Sequence, residues 1–133
     1  MTANHEAIVS VLTRYAAALK EADPDAVTAL YTDDGVLMAP ESPPVVGSTA
    51  VRKAYFGFFQ AIALDIKFHV AEVVELAPEW AFARTTSMGT IKIIATGASI
   101  PEANQELFIF KKATDGMWKI ARYSFSVINP PPK

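Results

Sequence analysis

Residues Tyr15 to Tyr55 decide the fold, and they form the stretch YAAALKEADPDAVTALYTDDGVLMAPESPPVVGSTAVRKAY. At its start, apolar residues spaced three and four positions apart continue a helical pattern over residues 4–22. Asp23 followed by Pro24 is typical of an N-cap and the first position of a second, shorter helix. The stretch therefore predicts two consecutive helices joined by a tight turn.

The second half of the stretch predicts a change from helix to strand and back to helix. Residues 33–35, Asp-Asp-Gly, tolerate turn conformations and are predicted to end the second helix. Residues 36–39 are then expected to form a short strand. The three prolines within residues 40–44 predict a loop, because proline cannot join a central ladder. Ser48 is expected to cap a third helix, whose apolar face includes Tyr55.

The chain beyond Asp65 alternates with a period of two, which predicts β-strands. Several strands are apolar on both faces: the last, residues 117–128, carries Ile120 in one parity and Tyr123 in the other. An antiparallel sheet with one face in water alternates more cleanly. We therefore expect the helices to cover one face and a second copy of the chain to cover the open face, in a twofold homodimer. A twist that moves core parity along a long strand is the alternative.

The composition of the chain limits the class of protein. The 133 residues are expected to form a single domain, residues 1–133, and the 51% hydrophobic and 20% charged content indicates a globular protein. A net charge of −2 offers no basic field for nucleic acid or anionic lipid. The absence of cysteine excludes disulfides, thiolate catalysis and cysteine-based zinc sites.

Targeting signals are not visible in the sequence. No basic segment followed by an apolar run marks a signal peptide, and no apolar run reaches the length that spans a bilayer. We therefore expect a cytoplasmic protein without membrane contact. Residues 129–133, Asn-Pro-Pro-Pro-Lys, are expected to form an extended Pro-rich C-terminal tail.

The order helix, turn, helix, strand, Pro-rich loop and helix closely resembles the opening of steroid delta-isomerases and SnoaL-like polyketide cyclases, within the nuclear-transport-factor-2-like superfamily. The resemblance covers nearly the whole chain in element order, and its detail lies in residues 15–55 and the last hairpin. It implies an α+β, cystatin-like cone, in which three N-terminal helices pack on a strongly curved, mostly antiparallel sheet. The open end of such a cone is a natural ligand site. Because this superfamily carries many chemistries, the resemblance specifies the fold better than the reaction.

Three residues match functional positions of the steroid isomerases, which stabilise an enolate oxygen with a tyrosine and a neutral carboxylic acid. By resemblance, Tyr15 is the oxyanion tyrosine, Tyr55 the tyrosine that supports it, and Glu106 the neutral acid. The alternative for both tyrosines is a purely structural place in the core. Glu106 faces the pocket if Phe108 and Phe110 face the core, and it is exposed if the parity is reversed.

The general base of the steroid isomerases is missing from this chain. Ala39 precedes Pro40 where those enzymes carry an aspartate, and alanine cannot take a proton. Glu41 is the candidate replacement at the mouth of the cone, and the alternative is a solvated loop charge. The standard proton shuttle of the family is therefore not expected here, and the sequence does not decide between an enzyme and a binding protein.

Further pocket residues follow from the predicted faces of the strands and the third helix. The candidate ligand-binding residues are Met38, Ala39, Phe59, Phe82, Arg84, Phe108 and Trp118. Arg84 would either bind an anionic group or pair with Glu106 or Glu72, and pairing is the favoured interpretation. No phosphate loop, nucleophile elbow, dinucleotide fingerprint or metal motif is present, so neither a cofactor nor a metal is expected.

These observations favour a small-molecule-binding domain with a hydrophobic cone pocket. Its activity would be that of a cofactor-independent isomerase, cyclase, hydratase or dehydratase acting on an apolar or polycyclic substrate. The alternative hypothesis is a non-catalytic ligand-binding or dimerisation module of the same fold, which the alanine at position 39 motivates.

Overall fold

A computed structural model describes residues 2–128, and the expected Pro-rich tail at residues 129–133 lies outside them. The described part of the chain forms three helices and six strands. In chain order they are α1 (Ala3–Glu21), α2 (Pro24–Ala29), β1 (Tyr31–Met38), β2 (Val45–Val46), α3 (Ser48–Ala61), β3 (Ile62–Ala77), β4 (Trp80–Ile93), β5 (Ser99–Lys112) and β6 (Trp118–Val127).

The start of α2 follows from local capping chemistry. The side chain of Asp23 accepts hydrogen bonds from the amides of Asp25 and Ala26, both at 3.1 Å, and Pro24 is the first residue of the helix. The Asp23 carboxylate thereby satisfies two amides that have no partner within the helix. The predicted N-cap and proline position are confirmed.

The predicted end of the second helix is wrong. α2 ends at Ala29, and Tyr31 already begins β1, so the turn-prone residues 33–35 lie inside a strand. The reason is a pairing between distant parts of the chain, since Tyr31 aligns in parallel with Ile120 of β6. An irregularity between Tyr31 and Val36 accommodates the turn-prone residues without ending the strand.

The predicted cap of the third helix is displaced by one residue. Gly47 is the N-cap of α3 and has a φ of 90°, whereas Ser48 is already helical and no side-chain cap bond forms. Glycine adopts this positive φ without steric cost, which is why the chain enters α3 at glycine and not at serine. α3 then buries Val51 and Tyr55 in the core.

The six strands form one mixed sheet in the order β2-β1-β6-β5-β4-β3. β1 and β6 pair in parallel, and the other four neighbouring pairs are antiparallel. β3, β4 and β5 are long, with 16, 14 and 14 residues, and strands of this length twist and curve. The predicted α+β architecture, three helices on a curved and mostly antiparallel sheet, is confirmed.

The two faces of β4 differ in side-chain size. Its small residues are buried on the side of the core, namely Ala81, Ala83, Thr85 and Ser87. Its larger residues have the opposite parity and form the open face, namely Trp80, Phe82, Arg84, Thr86 and Met88. Because the small residues leave room for the helices, the face that carries them is the one that packs in the core.

β6 places side chains of both parities in the core. Ile120 and Tyr123 are both buried, because the register between β5 and β6 shifts and β6 carries one extra residue, Ala121. The alternative of a parity change along a long strand therefore accounts for the apolar pattern of β6. The homodimer stays a prediction for the open face, where Leu107 is 44% exposed and Met88 51% exposed.

Candidate ligand-binding and active site

A cavity of about 300 Å³ is bounded by α1 and α3 on one side and by the sheet on the other. This volume is at the lower end of the range of small-molecule sites, about 300 to 1,000 Å³. Most of its lining is apolar. The polar side chains that line it are Tyr15, Ser42, Tyr55, Ser87, Glu102, Asn104, Glu106 and Tyr123.

Three buried tyrosine hydroxyls form a chain that ends at the cavity. The hydroxyl of Tyr55 lies 2.6 Å from that of Tyr15 and 2.7 Å from that of Tyr31. Tyr15 and Tyr55 line the cavity, whereas Tyr31 supports them from within the core. Burial raises the pKa of all three hydroxyls, so they stay protonated and able to donate at neutral pH.

Glu106 is a buried carboxyl on the cavity wall, with only 4% of its surface exposed. It shares a face of β5 with the fully buried Phe108 and Phe110, as the parity argument required. The hydroxyls of Thr85 and Ser87 donate to its two oxygens at 2.6 and 2.5 Å. Burial raises the pKa of Glu106, and these two hydrogen bonds offset part of the increase because they favour the charged form.

Glu106 and the tyrosines belong to one site. Burial is the main reason that the pKa values of Tyr15 and Tyr123 are raised, and a negative charge on Glu106 raises both further. The ring of Tyr123 packs edge-on against Tyr15, with 5.7 Å between the centroids. The structure therefore brings the predicted Tyr15, Tyr55 and Glu106 to the wall of one cavity.

Sequence reasoning missed two polar residues of this wall, Glu102 and Asn104. Both line the cavity from β5, and Asn104 is 5% exposed. They were missed because the strand parity was followed only forward, from Glu106 to Phe108 and Phe110, whereas β5 already begins at Ser99. Counting back in steps of two from Glu106 would have placed both on the same face of the strand.

The candidate replacement base, Glu41, does not line the cavity. It is exposed in the loop between β1 and β2, and its φ of 57° is in the left-handed region. Ala39 and Phe59 do line the cavity, as predicted for ligand-binding residues. Met38 alternates with the buried Leu37 and is 43% exposed, away from the lining.

Phe82 and Arg84 were assigned to the wrong face of the sheet. They lie on the open face of β4, and the Arg84 guanidinium pairs with Glu72 of β3 at 2.8 Å. The pairing of Arg84 with Glu72 is therefore confirmed, while its place in the pocket is not. The alternating pattern shows which residues of β4 share a face but not which face meets the helices. In the structure the helices cover the face with the small residues, which alternate with Phe82 and Arg84.

Phe108 and Trp118 are core residues behind the cavity. Phe108 is fully buried and stacks on Tyr123, with 4.0 Å between the ring centroids. Trp118 donates its indole N–H to Asn4 Oδ1 at 3.2 Å, near the start of α1. Neither residue lines the cavity, and Phe108 supports its wall through the lining residue Tyr123.

Residues 2–128 contain neither a metal-binding cluster nor a membrane-spanning helix. Within this range no group of three or more histidine, cysteine, aspartate or glutamate side chains is arranged to hold a metal ion. None of the described helices is long and apolar enough to cross a bilayer.

The fold and the site define a class of protein: a small α+β cone with a largely apolar cavity and a polar wall. The chain belongs to the SnoaL-like domain family, whose model matches residues 12–123. A search of curated proteins gave no significant match.

Solved structures agree with this family. A ketosteroid isomerase-like protein from Erwinia carotovora atroseptica SCRI1043 is 38% identical with a TM-score of 0.92, and the match covers 98% of this chain and 100% of that one. A protein with a cystatin-like fold from Caulobacter vibrioides is 18% identical with a TM-score of 0.77, covering 95% and 90%. A nuclear transport factor 2-like superfamily protein from Salmonella enterica serovar Typhimurium LT2 is 16% identical with a TM-score of 0.79, covering 95% and 89%. The last two show the fold alone.

Proposed function

We propose that the cavity binds a small, largely apolar molecule with a carbonyl oxygen, and that the protein catalyses proton transfer at a carbon next to that oxygen. An isomerisation, cyclisation, hydration or dehydration without a cofactor would each contain such a step. The observation that carries this proposal is the convergence of Tyr15 and the buried Glu106 on one apolar cavity. The similarity to a ketosteroid isomerase-like protein supports the reaction class.

Tyr15 would donate a hydrogen bond to the oxygen of the bound molecule. A hydroxyl has one proton, so Tyr15 is free to donate only if it accepts from Tyr55, at 2.6 Å. Tyr55 in turn would accept from Tyr31, at 2.7 Å. The hydrogen bonds would then all run in one direction, from Tyr31 through Tyr55 to Tyr15 and on to the bound molecule. In a site that excludes water, the hydrogen bond from Tyr15 would stabilise developing negative charge effectively.

Glu106 would be the second donor to the same oxygen. Only the protonated carboxyl can donate, and burial favours this form by raising the pKa of Glu106. The hydroxyls of Thr85 and Ser87 hold one oxygen each, which fixes the plane of the carboxyl group. Two fixed donors would stabilise an enolate in the transition state more than the neutral ketone in the ground state.

Glu102 is our candidate for the proton acceptor. It is half-buried and lines the same cavity, as Ala39 does. The Glu102 carboxylate would act as the general base in place of the aspartate that the steroid isomerases carry at the position of Ala39. Glu41 is exposed and is not positioned for this role. The proton would pass from the carbon to the Glu102 carboxylate and return to the rearranged product.

The direct test is hydrogen–deuterium exchange at the carbons beside the ketone of 2-tetralone, a bicyclic apolar probe, followed by NMR in D₂O. We expect Tyr15→Phe to slow exchange about a hundredfold, because it removes an oxyanion donor. Tyr31→Phe should slow exchange much less than Tyr15→Phe, because the Tyr31 hydroxyl does not line the cavity and acts only through Tyr55. Equal rates in the wild type and Tyr15→Phe would refute the role of Tyr15.

A non-catalytic binding protein is the second candidate function, and Ala39 on the cavity wall favours it. In that case 2-tetralone would bind to the wild type and to Glu102→Gln with the same affinity, and neither protein would accelerate exchange. Exchange that depends on Glu102 would exclude this alternative.

A further inference from the structure

The polar wall contains one group that the proposed chemistry does not use. Asn104 lines the cavity and is 5% exposed, and its Nδ2 donates to the Ser87 Oγ at 3.5 Å. The Oδ1 of Asn104 is buried, and no residue of the described chain donates a hydrogen bond to it. Buried polar atoms are nearly always paired in native proteins, so an unpaired acceptor beside a cavity indicates a missing partner.

The orientation of the Asn104 amide follows from its neighbours. Ser87 has one hydroxyl proton and gives it to Glu106 at 2.5 Å, so the Ser87 oxygen can only accept from Asn104. The amide nitrogen therefore faces Ser87 and the amide oxygen faces away from it. While Glu106 gives its own proton to the bound molecule, the Ser87 proton stays on the contact to Glu106, and turning the amide over would bring two acceptor oxygens together.

We propose that Asn104 Oδ1 accepts a hydrogen bond from the bound molecule, which must then carry a hydroxyl or N–H group in addition to the oxygen held by Tyr15. This inference rests on the proposed function, because it concerns the same cavity. Asn104 and Glu106 are two residues apart on one face of β5, which corresponds to about 7 Å along the strand. The ligand class is therefore a hydroxyketone or an amide-bearing ketone, with donor and carbonyl separated by a comparable distance.

Glu102 supports the same ligand class. It precedes Asn104 by two residues on the same face of β5 and also lines the cavity. When it is ionised, the Glu102 carboxylate accepts hydrogen bonds but cannot donate them. The wall thus presents acceptors at Asn104 and Glu102 and donors at Tyr15 and Glu106, and a ligand with one donor and one acceptor matches this arrangement.

The test compares hydroxy-2-tetralones with the methyl-2-tetralones substituted at the same ring positions. Because hydroxyl and methyl groups have similar sizes, a difference in affinity between the two compounds reports the contribution of the hydroxyl as a hydrogen-bond donor. We expect calorimetric titration to show at least one hydroxyl isomer binding the wild type about tenfold more tightly than its methyl partner. Asn104→Leu should remove that preference, whereas Ser42→Ala, which changes a more exposed lining residue, should keep it.

A second measurement on the ligand-free protein guards against a folding defect. Asn104→Leu removes the unpaired acceptor together with the 3.5 Å contact from Nδ2 to Ser87, so we expect its Tm to stay within a few degrees of the wild type. Where the Tm falls further, the hydroxyl preference is measured in Asn104→Ala, which should also lose it, and a preference that survives there overturns the inference.

The outcomes separate the inference from the proposed function. If unsubstituted 2-tetralone binds and Tyr15→Phe weakens it, while hydroxyl and methyl partners bind equally, the inference alone fails. A hydroxyl preference that survives in Asn104→Leu also refutes it. If no tetralone binds to the wild type, the proposed function fails and the inference falls with it.

Discussion

Gly89→Ala should strongly destabilise the protein, because a side chain at Gly89 in β4 would meet the backbone of β3. Gly89 pairs with Ile66 of β3 and with Glu102 of β5. A Cβ at position 89 would lie 2.1 Å from the carbonyl oxygen of Asp65 and 2.7 Å from the Cα of Ile66. Both contacts are with backbone, so no side-chain rotation relieves them.

The size of the effect follows from these distances. The Asp65 oxygen must retreat by at least 0.9 Å, the difference between 2.1 Å and the 3.0 Å that real contacts of a Cβ respect. Overpacking against movable side chains typically costs about 1 to 3 kcal/mol. Because backbone must move here and β3 is paired along its length with β4, we expect a loss of about 3 kcal/mol or more. That corresponds to a Tm decrease of roughly 10 °C for a chain of this size.

Urea and thermal denaturation would measure this loss, with Gly57→Ala as the matched control. Gly57 lies in α3, and a Cβ there would meet nothing within 4 Å. Alanine is about 1 kcal/mol better than glycine inside a helix, so the control should be more stable than the wild type. A Gly89→Ala protein within 1 kcal/mol of the wild type would refute the argument, because β3 and β4 would then separate without cost.

Two further predictions concern Glu106 and the open face. The folded-state pKa of Glu106 is raised above the ordinary 4.5, so its contribution to stability falls as pH rises from that value through the folded pKa. As the pH rises from 4 to 8, Glu106→Gln should therefore become more stable relative to the wild type, as measured by urea denaturation. A difference in unfolding free energy between the two proteins that stays constant over this pH range would contradict the prediction. For the predicted homodimer, sedimentation at micromolar concentration should show a dimer that Leu107→Glu converts to a monomer, and a monomeric wild type would exclude it.

The sequence predicts the local elements of this fold well where their causes are local. Asp23 and Pro24 start α2 because capping depends on neighbouring residues. Residues 33–35 were assigned to a helix end because the pairing of the flanking Tyr31 and Val36 with β6, nearly ninety positions further along the chain, leaves no local signal. Tertiary pairing overrides turn preference in such cases.

The site was predictable to the extent that strand parity was. The sequence indicates that Glu106 shares a face with Phe108 and Phe110, but only the structure shows that this face is the buried one. Phe82 and Arg84 were misplaced because a period of two gives shared faces without saying which face meets the helices. Asn104 has no signature of its own, since an unpaired acceptor becomes visible only when its surroundings are known.

The tyrosine chain also has a consequence for how occupancy of the cavity would be detected. Its heavy atoms are fixed by contacts of 2.6 and 2.7 Å, so a ligand that needs a donor from Tyr15 can be served by turning hydrogens alone. Tyr31 lies at the far end of this chain, one tyrosine removed from the cavity wall. Its hydroxyl proton is therefore a remote reporter, and its NMR or infrared signal should change when the cavity fills, even where backbone and side chains keep their places.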